Sequence, residues 1–304
     1  MKIGLALGGG GAKGFFHIGV LRVLESLNIK IDYIAGTSMG ALVGALYALY
    51  SDVNEVERII LGLLDEYRDD VFALKKFSTS SDAEQAEQRK VFLEKSIDYV
   101  KKLYLWNLRM VKPYLVNPRP FVKILKQLYG SKCFEDCQIP FLCSAVDLQT
   151  GECCALERGP LGKSVLASCS LPGVFPPVKL KQKTLVEGAV LVPIPAPLLK
   201  GKVDMIIGVN LDTAWLYPKE IKSVIDVMFV SDRIRYKKIL ADSLQDVDFL
   251  ISLDNDSFRW TDFDRAEELI ELGRTRAYQV KDSLLKLVRY YSKKRYFWQK
   301  LFRK

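Results

Sequence analysis

The sequence predicts an α/β fold in which a mostly parallel sheet is covered by helices on both faces. Three observations carry this. Short apolar runs suited to buried strands alternate with helical patterns along the chain. Val203 to Asn210 is apolar almost throughout, as a central parallel strand buried on both faces is. Glycines stand where the first two apolar runs pass into helical patterns.

Lys2 to Leu7 is the first strand candidate, and it runs into Gly8-Gly9-Gly10-Gly11-Ala12-Lys13-Gly14. A helix follows, with Ile18, Leu21, Leu24 and Leu27 on one face. Tyr33–Ala35 is a short strand. Met39 to Tyr50 reads as a buried helix, in which Ala41, Gly44, Ala45 and Ala48 allow close packing on the sheet. Asn54 to Asp70 is amphipathic, Phe72 to Asp82 is a loop, and Ala83 to Leu115 is helical in pattern with Tyr99, Tyr104 and Trp106. This last segment is either a cap above a site or helices on the sheet's flank. Asn117-Pro118-Arg119-Pro120 breaks the chain, and Phe121 to Leu128 resumes a helix.

Ile139 to Val146 and Cys153 to Leu156, separated by Gly151, predict a hairpin. Leu161 to Ser168 is a short helix, and Pro172, Pro176 and Pro177 stiffen the loop after it. Lys179–Lys183 is a polar turn leading to Val186-Glu187-Gly188. Ile221 to Leu244 is a long amphipathic helix and Phe249 to Leu253 a last strand. Asp262 to Leu287 is one helical pattern that continues into a basic end. The expected organisation is one domain over 1–281, with 52–120 as a helical cap insertion, and a basic, aromatic segment over 282–304.

Charge and cysteine usage narrow the classes. The net charge is +9, and seven of those positives lie in the last sixteen residues, which hold no acid. The body is near neutral, so a nucleic-acid-binding domain is not expected. In that basic end Arg289, Lys293, Lys294, Arg295, Lys300, Arg303 and Lys304 interleave with Tyr290, Tyr291, Tyr296, Phe297, Trp298 and Phe302. Aromatics settle at lipid headgroup level and cations meet anionic lipid, so residues 289–304 are expected to make peripheral membrane contact. The bland reading is a solubilising tail. Met1–Leu7 is too short for a signal-peptide core, and the run Met39–Tyr50 falls short of the ~20 residues that span a bilayer. The six cysteines, at 133, 137, 143, 153, 154 and 169, are therefore expected as reduced thiols in a cytoplasm. With one histidine in the chain, buried apolar cysteine is a better reading than a metal site, and neither metal nor cofactor is expected.

The chemistry concentrates in Gly36-Thr37-Ser38-Met39-Gly40, a Gly-x-Ser-x-Gly between strand and helix. That is the pattern of a nucleophile elbow, a sharp turn that lifts one serine above the sheet edge. Gly36 and Gly40 suit it, since a Cβ beside a strained turn would collide with it. The glycine loop before it leaves backbone N–H groups bare at a helix N-terminus. Next to an activated serine such donors suit an oxyanion hole. A P-loop reading fails because Lys13 is followed by Gly14, and a dinucleotide reading fails because Asp32 precedes its strand. His17, the one histidine, is a triad candidate, but a helix histidine packed near the loop is the favoured reading.

Gly9-Gly10-Gly11-Ala12-Lys13-Gly14 followed by Gly36-Thr37-Ser38-Met39-Gly40 resembles the patatin-like phospholipase family, in its bacterial form. The likeness continues at Val146-Asp147-Leu148-Gln149-Thr150-Gly151-Glu152 and at Ala167-Ser168-Cys169-Ser170-Leu171-Pro172-Gly173-Val174-Phe175-Pro176-Pro177-Val178. It implies a three-layer α/β/α fold and hydrolysis of acyl esters in phospholipid or lysophospholipid by a Ser–Asp dyad. It further implies Ser38 as nucleophile, with an oxyanion hole from the loop glycines Gly9, Gly10, Gly11 and Gly14, the amides of Gly10 and Gly11 foremost. The family's catalytic Asp stands in an Asp-Gly-Gly/Ala turn, and the matching turn here is Leu185-Val186-Glu187-Gly188-Ala189. Glu187 is thus the implied base, one methylene longer. If that length misplaces the carboxylate, the alternative is a catalytically impaired lipid-binding or scaffold protein on the same fold. Asp147 is read as turn structure.

Overall fold

The computed structural model describes residues 1–68, 117–212, 221 and 224–301. The strands are β1 (Ile3–Leu7), β2 (Tyr33–Gly36), β3 (Phe141–Asp147), β4 (Cys153–Leu156), β5 (Val178–Leu180), β6 (Lys183–Glu187), β7 (Met205–Asn210) and β8 (Phe249–Ser252). The helices are α1 (Phe16–Ser26), α2 (Met39–Tyr50), α3 (Val53–Glu66), α4 (Arg119–Tyr129), α5 (Leu161–Ser168), α6 (Val224–Leu244), α7 (Ala266–Gln279) and α8 (Lys281–Leu301). The segment expected as a loop and helical cap, Phe72 to Leu115, lies outside the described residues.

All eight strands form one mixed sheet. β3, β2, β1, β7 and β8 are parallel in that order, with Leu5 facing Ile34 on one side and Ile207 on the other. The predicted hairpin forms as β3 and β4, and β5 and β6 form a second antiparallel pair. Side chains alternate across β1, as a pleated strand requires. Ile3, Leu5 and Leu7 join the large core with α1, α2 and α7, whereas Ala6 joins a smaller core with Ala35, Leu142 and Leu240 of α6. Helices therefore cover both faces.

One edge of β3 changes partner partway along. Cys143 faces Gly36 of β2 and Leu156 of β4, so β2 and β4 lie on opposite edges. Ala145 faces Cys154 of β4 and Glu187 of β6, so β6 takes the edge that β2 has just left. The end of β2 and the end of β6 thus meet beside β3, two residues apart along it, or roughly 7 Å.

One helical expectation changes, and another is described only in part. The described helix α6 begins at Val224, and Val224, Val227, Met228 and Ile234 on it are exposed. Its second half docks through Leu240 with Tyr236 and Leu244, and Arg233 pairs with Asp212. The single pattern from Asp262 splits into α7 and α8 at Val280. α7 crosses α1 closely enough that a Cβ on Gly273 would stand 2.1 Å from the Phe16 carbonyl oxygen. The first turns of α8 return to the body through buried Leu284, and the Tyr291 hydroxyl donates to Asp248.

Candidate active site

Ser38 closes β2 and opens α2 with φ 55° and ψ −123°. A residue with a Cβ holds a positive φ only where its surroundings enforce it, at roughly 1–3 kcal/mol. The neighbours do so here. A Cβ on Gly36 would come 2.4 Å from the Ala41 Cα, and one on Gly40 would come 2.2 Å from the Leu7 carbonyl oxygen. Only glycine lets the turn close this tightly. The Ser38 carbonyl accepts from the Ala41 N–H (2.8 Å) and the Leu42 N–H (3.1 Å), which starts the helix. A serine at this position ordinarily caps its own helix with its hydroxyl. Ser38 makes no such bond, and its side chain is spent elsewhere.

That side chain faces Glu187, and its hydroxyl favours the charged form of the carboxyl. Glu187 ends β6 opposite Ala145, and its own N–H donates to the Ser170 carbonyl at 3.0 Å. It is 7% exposed, and burial pushes its carboxyl up to about 7, against the opposing pull of the Ser38 hydroxyl. Buried carboxylates rise because a low dielectric disfavours charge. The following glycine is dictated by packing, since a Cβ on Gly188 would lie 1.9 Å from the Ser144 hydroxyl oxygen.

Four buried side chains surround this meeting point, and none was given a role there from the sequence. Thr37 Oγ1 lies 2.7 Å from Ser144 Oγ on β3 and donates to the Val192 carbonyl at 3.0 Å. Ser168, at the end of α5, accepts the Ser38 N–H at 3.0 Å. The Cys169 thiol is buried beside them, and burial, aided by the Glu187 charge, holds it in the protonated form. Ser168 and Cys169 belong to a quoted motif, so a signal existed, but the motif alone assigns no roles. Thr37 and Ser144 meet only through strand pairing.

The glycine loop approaches from β1. A Cβ on Gly9 would stand 3.2 Å from the Ser38 Cβ. The Gly8 and Gly9 N–H groups donate to the Val209 and Pro193 carbonyls, both at 3.1 Å, and the Ala12 N–H donates to Trp260 at 2.8 Å. Among the described residues the N–H groups of Gly10 and Gly11 meet no acceptor. Gly11 has φ 57°, a conformation that favours glycine. Gly9 is therefore committed as a donor. Gly14 packs under the elbow, where a Cβ would meet Met39 Cγ at 2.1 Å.

His17 does not join the pair. It is fully buried in the first turn of α1, and its Nε2–H donates to the Gly8 carbonyl at 2.8 Å. Asp147 accepts from the Gln149 N–H (3.2 Å) and the Thr184 N–H (3.3 Å), which is a turn-forming role. All six cysteines are free thiols, three of them buried. Among the described residues no three His, Cys, Asp or Glu side chains are grouped to hold a metal, and no helix is long and apolar enough to cross a membrane.

A family model described as patatin-like phospholipase matches residues 5–199. An uncharacterized NTE family protein of Mycobacterium tuberculosis is 29% identical over 217 residues, covering 69% of this chain and 49% of that protein. Lysophospholipase NTE1 of Scheffersomyces stipitis is 30% identical over 213 residues, covering 70% of this chain and 12% of that one. The chain thus spans about half the length of the mycobacterial relative and a small part of the fungal one. Among solved structures, human GIVD cytosolic phospholipase A2 overlays at a TM-score of 0.47 with 11% identity, over 96% of this chain and 60% of that one, a likeness too loose to assign anything.

Proposed function

This chain belongs to the patatin-like phospholipase family, and we propose that it is a serine acyl hydrolase acting on lipid esters through a Ser38–Glu187 dyad. The observation that carries the reading is a strained, elbow-held serine set, where β2 and β6 end on one edge of β3, beside a buried carboxyl whose burial lifts it to about 7. A base works best with a pKa near the working pH. Burial brings Glu187 there without a histidine.

In this mechanism Ser38 Oγ attacks the ester carbonyl carbon while its proton passes to Glu187. The carbonyl oxygen becomes an oxyanion, which the free N–H groups of Gly10 and Gly11 receive. Collapse breaks the ester C–O bond, and Glu187 returns the proton to the leaving alcohol. Water then attacks the acyl-serine with Glu187 again as base, and Ser38 is restored. The longer glutamate serves because β6 ends where β2 turns away from the same edge of β3. The substrate class is phospholipid or lysophospholipid, in keeping with the lysophospholipase name of the fungal relative. The basic end of α8 brings the chain to an anionic surface on the inner face of the membrane.

Hydrolysis of monoacyl and diacyl phospholipids, followed by fatty-acid release, tests the reading. Wild type should release fatty acid and Ser38→Ala should not. A Ser38→Ala protein as active as wild type would sink the mechanism. No release by folded wild type, with strong release by Glu187→Asp, would favour a lipid-binding protein with a misplaced base.

A further inference from the structure

The proposed chemistry leaves His17 unused, yet the chain buries this one imidazole completely beside the site. A carbonyl only accepts, so the bond to Gly8 means that Nε2 carries the proton. Nδ1 is then a bare acceptor, and among the described residues it has no partner. Burial holds the ring neutral, with its pKa lowered to about 4. An unsatisfied buried polar atom carries a desolvation cost that leucine or phenylalanine would not incur. Packing alone therefore does not account for an imidazole here. What the ring adds is one donor, aimed at one oxygen.

That oxygen sits at a junction. The Gly8 carbonyl accepts from His17 on one side, and a Cβ on Gly40 would reach it at 2.6 Å. It is the point at which the glycine loop touches the nucleophile elbow. The other end of the same peptide, the Gly9 N–H, is tied to Pro193. Both flanking residues are glycines, whose backbone turns freely unless held. The next two N–H groups along the chain are those of Gly10 and Gly11, which meet no acceptor among the described residues.

We propose that His17 is a positioning residue for the oxyanion hole. Its Nε2–H locks the Gly8–Gly9 peptide, and the lock directs the following two N–H groups toward the carbonyl that Ser38 attacks. The inference rests on the Ser38 reading above. A shift of about 1 Å in such donors costs roughly a hundredfold in rate.

The test combines spectroscopy with kinetics. Because His17 is the one histidine, [15N]histidine labelling gives a single imidazole spin system. The expected spectrum is the Nε2–H tautomer, persisting well below pH 6. Nδ1–H, or titration near 6.5, would overturn the lock. In kinetics with a water-soluble p-nitrophenyl ester, His17→Leu should lose between tenfold and a hundredfold in kcat with KM nearly unchanged. His17→Gln, whose amide nitrogen can take the place of Nε2, should recover most of that loss. An unchanged kcat in folded His17→Leu, or a glutamine variant as impaired as the leucine one, would overturn the proposal. If His17→Leu fails to fold, the glutamine variant and the spectrum still decide. Wild type that hydrolyses no ester while showing Nε2–H would overturn the Ser38 reading and with it the catalytic meaning of the lock. A Nδ1–H tautomer in active wild type would overturn the lock alone.

Discussion

At the residue scale the proposed chemistry turns on one carboxyl. Glu187 is useful as a base only when ionised, so kcat should fall about tenfold per unit as pH drops below about 7 and level off above it. Its folded pKa lies above its ordinary value of 4.5, so between those limits the folded state binds more protons than the unfolded one. Linkage then makes stability fall as pH rises from about 4.5 to 7 and stay low above. Glu187→Gln should therefore stabilise the protein at pH 8, on the order of a few kcal/mol, and give little gain at pH 4. Thermal melts at both pH values check this, and an equal Tm difference at the two would contradict it. The same variant should be nearly inactive. Glu187→Asp draws the carboxylate back by one methylene and should lose about a hundredfold in kcat.

At the element scale the site exists because two turns share one edge of β3. Thr37 ties the elbow to Ser144 and to the Val192 carbonyl, and both Thr37 and Ser144 are fully buried. Thr37→Val keeps the shape and removes the hydroxyl, which leaves buried partners unpaired. It should cost about 1–3 kcal/mol in a denaturant titration. A cost near zero would mean that this tie does not hold the elbow. The elbow itself was legible in the sequence, because Gly36 and Gly40 are required locally, by atoms of the next turn and of β1. So was the β3–β4 hairpin, which Gly151 punctuates. That β6 takes over the edge vacated by β2 was not legible, since pairing between residues some forty apart leaves no local pattern. The reach of Glu187 depends on that pairing. The role of His17 was hidden for the same reason, since its partner is a backbone oxygen that no side-chain motif reveals.

At the scale of the whole molecule, the alternation of strands and helices was enough to predict a sheet covered on both faces. The mixture of strand directions was only partly visible. One antiparallel hairpin was read, and the second lay in the short pair β5–β6. The uneven charge was fully legible, because it is a property of composition. α8 carries Lys293 and Lys294 exposed beyond the point where Tyr291 docks on Asp248. Each cation near an anionic surface contributes roughly 1 kcal/mol. Lys293→Gln with Lys294→Gln should then weaken partitioning onto phosphatidylglycerol vesicles by about 2 kcal/mol, roughly thirtyfold, and leave soluble-ester turnover unchanged. Equal co-sedimentation of variant and wild type would remove α8 from membrane contact.

In the proposed mechanism Ser38 is activated by Glu187 alone. Fluorophosphonate labelling of the folded chain, with peptide mapping of the adduct, tests it most directly. One modified residue is expected, Ser38, with labelling abolished in Ser38→Ala and greatly slowed in Glu187→Gln. Folded wild type that takes no label, or takes it on another side chain, would contradict it.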